Sequence, residues 1–155
     1  MSAFRIVRDY SAPVPTVWRA VTDPELVPRW TASGQGARPV GFAPVVGTRF
    51  QFVAKPVLGW RGIVDCEVVE VAEPSLLRFT WVGDEGDRPS LVTYRLEPLV
   101  DQPAPGTRFT YEHTGLTGVG GSVMARLLKR IRTRMLTEGL PPLLDDLVRE
   151  GQPRP

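Results

Sequence analysis

Residues 76–97 read LLRFTWVGDEGDRPSLVTYRLE, and the alternation within them decides the fold. Leu77, Phe79 and Trp81 stand against Arg78 and Thr80; beyond the turn-forming stretch from Gly83 to Pro89, Val92, Tyr94 and Leu96 stand against Thr93, Arg95 and Glu97. A period of two sends successive side chains to opposite faces, so both runs are strands with one oily and one wet side. No helical pattern lies between them to carry a parallel crossover, which makes the pair antiparallel and excludes a doubly wound sheet.

Working outward, the same grammar holds from residue 37 to 114. Phe50 and Phe52 oppose Arg49 and Gln51, and Gly47, Gly59, Pro74 and the 102–106 stretch break the extended runs, giving about six strands. Upstream, FRIVRDYS (residues 4–11) is a further strand, stopped at Ala12-Pro13. Pro15 suits the first turn of a helix whose apolar positions are Val17, Trp18, Ala20 and Val21. Asp23-Pro24 then repeats a start signal for a second short helix, which Pro28 is expected to curtail. Downstream of a glycine-rich link (115–121) the period becomes helical, from Val123 and Met124 through Leu128, Ile131 and Leu136 to Leu147. Gly139, Pro141 and Pro142 fall inside that run and predict a kink or break before a last segment at 141–150. The expected architecture is α+β: a curved antiparallel sheet of about seven strands in the order β-α-α-β6-α, closed on a long C-terminal helix. One domain over residues 1–150 and a short disordered tail at 151–155 complete the reading.

Composition narrows the function classes. With 42% hydrophobic residues, a net charge of +2 and no apolar run of membrane-spanning length, the chain reads as a cytoplasmic protein without membrane insertion. Cys66 and His113 are the only cysteine and histidine, too few for a disulfide or a zinc site, so no metal and no cofactor is expected. Gly118-Val119-Gly120-Gly121 lacks the spacing of a dinucleotide fingerprint and is read as a hinge or plain loop. Arg126, Lys129, Arg130, Arg132 and Arg134 form a basic run; it reads as the solvated face of the helix, with phosphate contact as the alternative and no nucleic acid expected.

The order of elements, together with DYSAPVPTVWRAVTDPELVPRW (residues 9–30), GTRFQF (47–52) and GIVDCEVVEVAEPSLLRFTW (62–81), resembles the START-like or SRPBCC superfamily, in its branch related to activators of the heat-shock chaperone ATPase. The resemblance implies a helix-grip fold holding a small hydrophobic ligand, and its relatives include polyketide cyclases. The chain departs from the branch at Glu138-Gly139-Leu140-Pro141, where an aromatic-rich Gly-Trp sequence is common. It also begins at the START-like strand, without the chaperone activator's separate N-terminal domain, so direct chaperone activation is not expected.

Phased in this way, Phe109, Tyr111 and His113 face inward with Trp81 and Tyr94. Trp30, Phe52, Trp60, Met124 and Leu128 complete the expected ligand-contacting set, with Cys66 nearby. Such residues bury an acyl or flat molecule and orient it by one or two hydrogen bonds, although aromatic stripes also serve simply as core. His113 and Tyr111 are the candidates for proton transfer. Asp65, Glu67 and Glu112 are read as solvated charges. Binding of a lipid-like or polycyclic aromatic molecule leads; a cyclase or dehydratase-like enzyme and a protein-interaction module without ligand are the alternatives, and homodimerisation stays open.

Overall fold

The computed structural model describes residues 2–31, 37–56, 58, 61–83 and 86–151; Trp60 and the tail beyond residue 151 lie outside them. In chain order the elements are β1 (Ser2–Tyr10), α1 (Val14–Thr22), α2 (Val27–Thr31), β2 (Arg38–Val40), β3 (Arg49–Val53), β4 (Ile63–Ala72), β5 (Leu76–Val82), β6 (Ser90–Pro98), β7 (Thr107–Leu116), α3 (Gly118–Arg134), a π-helical turn (Met135–Gly139) and α4 (Leu140–Glu150). The seven strands make one antiparallel sheet in the order β1-β7-β6-β5-β4-β3-β2. This is the α+β helix-grip architecture that alternation and the long last helix imply. No helix among the described residues is long and apolar enough to cross a membrane.

Register fixes the two faces. Tyr94 pairs with Leu77 on one side and Tyr111 on the other, and Val92 pairs with Phe79 and His113, so the oily positions of neighbouring strands share the concave face. Val64, Cys66 and Val68 continue it on β4 until a bulge between Val68 and Glu70 resets the alternation. The convex face carries exposed pairs such as Arg108 with Asp9 and Arg78 with Glu70, which bring solubility and register more than stability. Against the concave face pack Val17, Trp18 and Val21 of α1, Trp30 of α2 and Leu140, Leu143, Leu144 and Leu147 of α4.

Three local expectations are corrected. Pro28 does not stop the second helix; it lies in its first turn, where no N–H is required, while Asp23 accepts a hydrogen bond from the Glu25 amide in the preceding turn. The glycine-rich stretch is largely helix, since α3 begins at Gly118, and a Cβ on Gly121 would lie 2.9 Å from the Leu116 carbonyl carbon. Glycine there allows close packing of helix on strand rather than hinge motion. Gly139 and Pro141 do not break the helix either. The chain widens into a π turn in which the Leu140 amide donates to the Met135 carbonyl, and α4 continues directly.

The wide turn leaves a predictable orphan. In π geometry the Leu136 carbonyl looks to the amide five residues on, which is Pro141 and has no N–H. The buried Tyr10 hydroxyl at the end of β1 donates to that carbonyl at 2.6 Å, and burial holds the phenol well above its usual pKa, so it keeps its proton. Tyr10→Phe keeps the ring but strands the carbonyl; chemical denaturation should show a loss of about 1–3 kcal/mol. A loss within measurement error would mean that water or another group satisfies the carbonyl equally well.

Candidate ligand site

Between the sheet and the junction of α3 with the π turn lies a cavity of about 40 Å³. Phe52, Val64, Phe79 and Trp81 wall it from β3–β5, Tyr94 and Tyr111 from β6 and β7, Trp30, Thr31 and Ala37 from one end, and Arg132 and Met135 from the helix. Such a volume admits a few water molecules and falls well short of the ~300 Å³ of a formed ligand pocket. A second void of about 10 Å³ lies on the other side of Phe52, Phe79 and Tyr94. A larger depression, about 410 Å³, runs between α1 and the β4–β5 turn, but it is an open surface groove edged by Arg19, Asp23 and Glu73 beside prolines. The cavity beneath the helix, more recessed than the groove, has the aromatic wall that ligand burial requires, and we take it as the site.

The rings around the cavity form a continuous cluster of edge-on and tilted contacts. Phe79 meets Tyr94 at 5.5 Å and nearly perpendicular, and Tyr94 meets Tyr111 at 5.4 Å. Trp30 points its indole N–H away, to the Ala20 carbonyl at 3.0 Å, which leaves its ring as wall. Among the described residues Arg132 is the one charged side chain lining the space; its Nε donates to the Tyr111 hydroxyl at 3.1 Å, and its Nη1 lies 3.7 Å from the Met135 sulfur. The Tyr94 hydroxyl has no hydrogen-bond partner among the described residues, and burial is the main cause that raises its pKa well above the ordinary phenol value. The Tyr94 phenol therefore presents a proton, not charge.

Of the residues expected to contact a ligand, the structure gathers Trp30, Phe52, Trp81, Tyr94 and Tyr111 around this cavity. Phe109, Leu128 and His113 are buried beside it without lining it, Met124 is 40% exposed on α3, and Trp60 is among the undescribed residues. Cys66 is buried with its thiol pushed up by burial, which removes it as a nucleophile. Asp65 holds Gln51 and Arg61, Glu67 holds Arg49, and Glu112 pairs with Arg5 at 3.8 Å, all at the surface. Arg132 escaped the sequence reading because it was counted with the solvated basic run. Its spacing of four from both Leu128 and Leu136 was the available signal, since those positions share a helical face.

His113 is fully buried between Phe4 and Trp81, the latter at 5.1 Å edge-on. Its Nε2 lies 2.7 Å from the Ser90 hydroxyl, whose own proton goes to the Trp81 carbonyl at 3.1 Å. The hydroxyl has one proton, so the imidazole must donate from Nε2, and Nδ1 is left as a bare acceptor without a partner. Burial, reinforced by the charge of Arg132, pushes the pKa down to about 3. A neutral ring walled off from the cavity braces Trp81 and does not shuttle protons at ordinary pH.

The fold and cavity together define the chain as a helix-grip domain of the SRPBCC superfamily. The family described as Activator of Hsp90 ATPase homolog 1-like protein matches residues 11–141, and the chain belongs to it. Among solved structures it is similar to protein MLL2253 from Mesorhizobium loti (26% identity, 98% of this chain and 100% of that one, TM-score 0.73). It is also similar to Mll3558 from Rhizobium loti (26% identity, 92% and 96% covered, TM-score 0.66). DynU16, from the dynemicin biosynthetic locus, shares the fold at 22% identity (91% of this chain, 49% of that one, TM-score 0.64). No curated protein matches the chain.

The buried imidazole sets a pH dependence of stability. Unfolded, His113 takes a proton below about pH 6.5, whereas folded it does so only near pH 3, so the unfolded state binds more protons throughout that window and stability falls as pH drops through it. Between pH 7 and pH 5 the loss should reach about 2 kcal/mol. Since this is the only histidine, His113→Gln, though less stable at pH 7, should be nearly flat over the same interval in denaturant titrations. An unchanged slope in the variant would place the titrating group elsewhere.

Proposed function

We propose that this protein binds a small, largely apolar molecule with a flat or acyl body in the cavity between the sheet and the C-terminal helix. The observation that carries the reading is a recessed space lined by Trp30, Phe52, Phe79, Trp81, Tyr94 and Tyr111. Arg132 and the Tyr111 and Tyr94 hydroxyls add polar atoms to its lining. Aromatic walls with one or two orienting polar atoms are what a small-molecule site offers, and membership of the family agrees with it.

The cavity must open to be filled. Met135 has a flexible thioether side chain, and Phe52 is only half-buried, so both can yield without unpacking the sheet. Phe52, Phe79 and Tyr94 separate the main cavity from the smaller void, and a shift of Phe52 joins the two spaces. Proton transfer by His113 is not part of this reading, because the ring is neutral and stands outside the cavity. The role is carriage or sensing of a ligand.

Because Trp30 and Trp81 are part of the wall, occupancy should change tryptophan emission. A panel of naphthalene-sized and medium-chain acyl compounds should include members that quench it saturably and, at about a hundredfold excess over Kd, raise the melting temperature by several degrees. Val64→Phe, which fills the space from β4, should abolish both effects while melting cooperatively. If the filled variant responds as the parent does, binding is at the surface and the cavity reading falls.

A further inference from the structure

We infer that the ligand is an organic acid: an apolar body ending in a singly charged carboxylate that is received by Arg132, Tyr111 and Tyr94. The inference rests on the cavity-binding reading above and goes on to the chemistry of the bound molecule. Its starting point is an imbalance. Arg132 is half-buried against the cavity, yet no carboxylate among the described residues pairs with it, whereas Arg29, Arg49, Arg61, Arg78, Arg108 and Arg134 each have one. Among the described residues its acceptors are the Tyr111 hydroxyl and the weakly accepting Met135 sulfur, which use two of its five N–H groups.

The neighbouring polar atoms have the same polarity. By accepting from Arg132, the Tyr111 hydroxyl keeps its own proton to give, and the Tyr94 hydroxyl is unpartnered. The Thr31 hydroxyl already donates to the Ala37 carbonyl, and the remaining walls are apolar. Among the described residues three donors and no carboxylate therefore line one small space. A cation beside apolar walls gains most from a countercharge, and the planar guanidinium suits the two oxygens of a carboxylate. A doubly charged phosphate is a poorer match, because the site supplies a single cation. The position follows from the fold: Arg132 is four residues from both Leu128 and Leu136, on the side of α3 that packs over β1 and β7.

The test compares acids with uncharged analogues of the same shape: 2-naphthoate with 2-naphthalenemethanol, and decanoate with decanol. Affinities come from tryptophan quenching and calorimetry on the full chain. We expect each acid to bind at least about tenfold more tightly than its alcohol, and Arg132→Gln to weaken the acids about ten- to a hundredfold while leaving the alcohols nearly unchanged. Arg132→Lys should fall between, and Arg130→Gln, which alters an exposed arginine of the same helix, should have no effect. Melting of the unliganded variants checks their fold; should Arg132→Gln not fold, Tyr111→Phe gives the same reading, with a smaller loss for acids only. Acid and alcohol binding equally, or equal acid binding by parent and variant, overturns the anion inference and leaves the cavity reading intact. Binding by none of the four compounds, with no change in emission, overturns both.

Discussion

Pro141 has no amide proton to give, and Tyr10 gives one in its place. This exchange ties the end of the first strand to the one turn where the last helix cannot satisfy itself, across 126 residues of sequence. The helix can then carry two prolines and a glycine without breaking, because its ladder widens instead of ending and the carbonyl it strands is met by the sheet. The position of α3 over the concave face depends on that tie. A helix free to pivot at the prolines would not hold the guanidinium of Arg132 at hydrogen-bonding distance from Tyr111.

Around that anchor the interior divides by chemistry. On one side His113 and Ser90 form a closed exchange in which each proton has an acceptor, and the price is a single bare ring nitrogen. On the other side, around Tyr94, Tyr111 and Arg132, protons outnumber acceptors and the space between the rings is not filled. A core built only for stability would more naturally resemble the first arrangement throughout, since unpaired polar groups next to apolar walls are costly. The second is the arrangement on which the proposed ligand binding rests.

Much of the architecture was legible in the sequence because most concave-facing strand positions are marked by an apolar residue, and the change of period after Leu116 announces the gripping helix. Periodicity placed Trp81, Tyr94 and Tyr111 on one face correctly, yet it could not distinguish a ring that lines a void from one that fills it. Phe109 and His113 share the face of Tyr111 and are nonetheless buried against their neighbours, because cavity and core differ in packing and not in pattern. Arg132 was obscured for another reason. Four other basic residues surround it between 126 and 134, and composition outweighed spacing. The prolines at 141 and 142 suggested a broken helix, because local propensity takes no account of a hydroxyl arriving from the opposite end of the chain.

The π turn adds a residue to the helix without interrupting it. Its ladder takes one residue more to close than a regular turn does, so the extra residue is absorbed where it stands, and Leu140, Leu143, Leu144 and Leu147 keep the face they present to the core. Loss of one residue within this turn lets the ladder close as a regular turn with both halves of the helix still in step, whereas the same loss inside α3 or α4 turns the apolar face beyond it by about 100°.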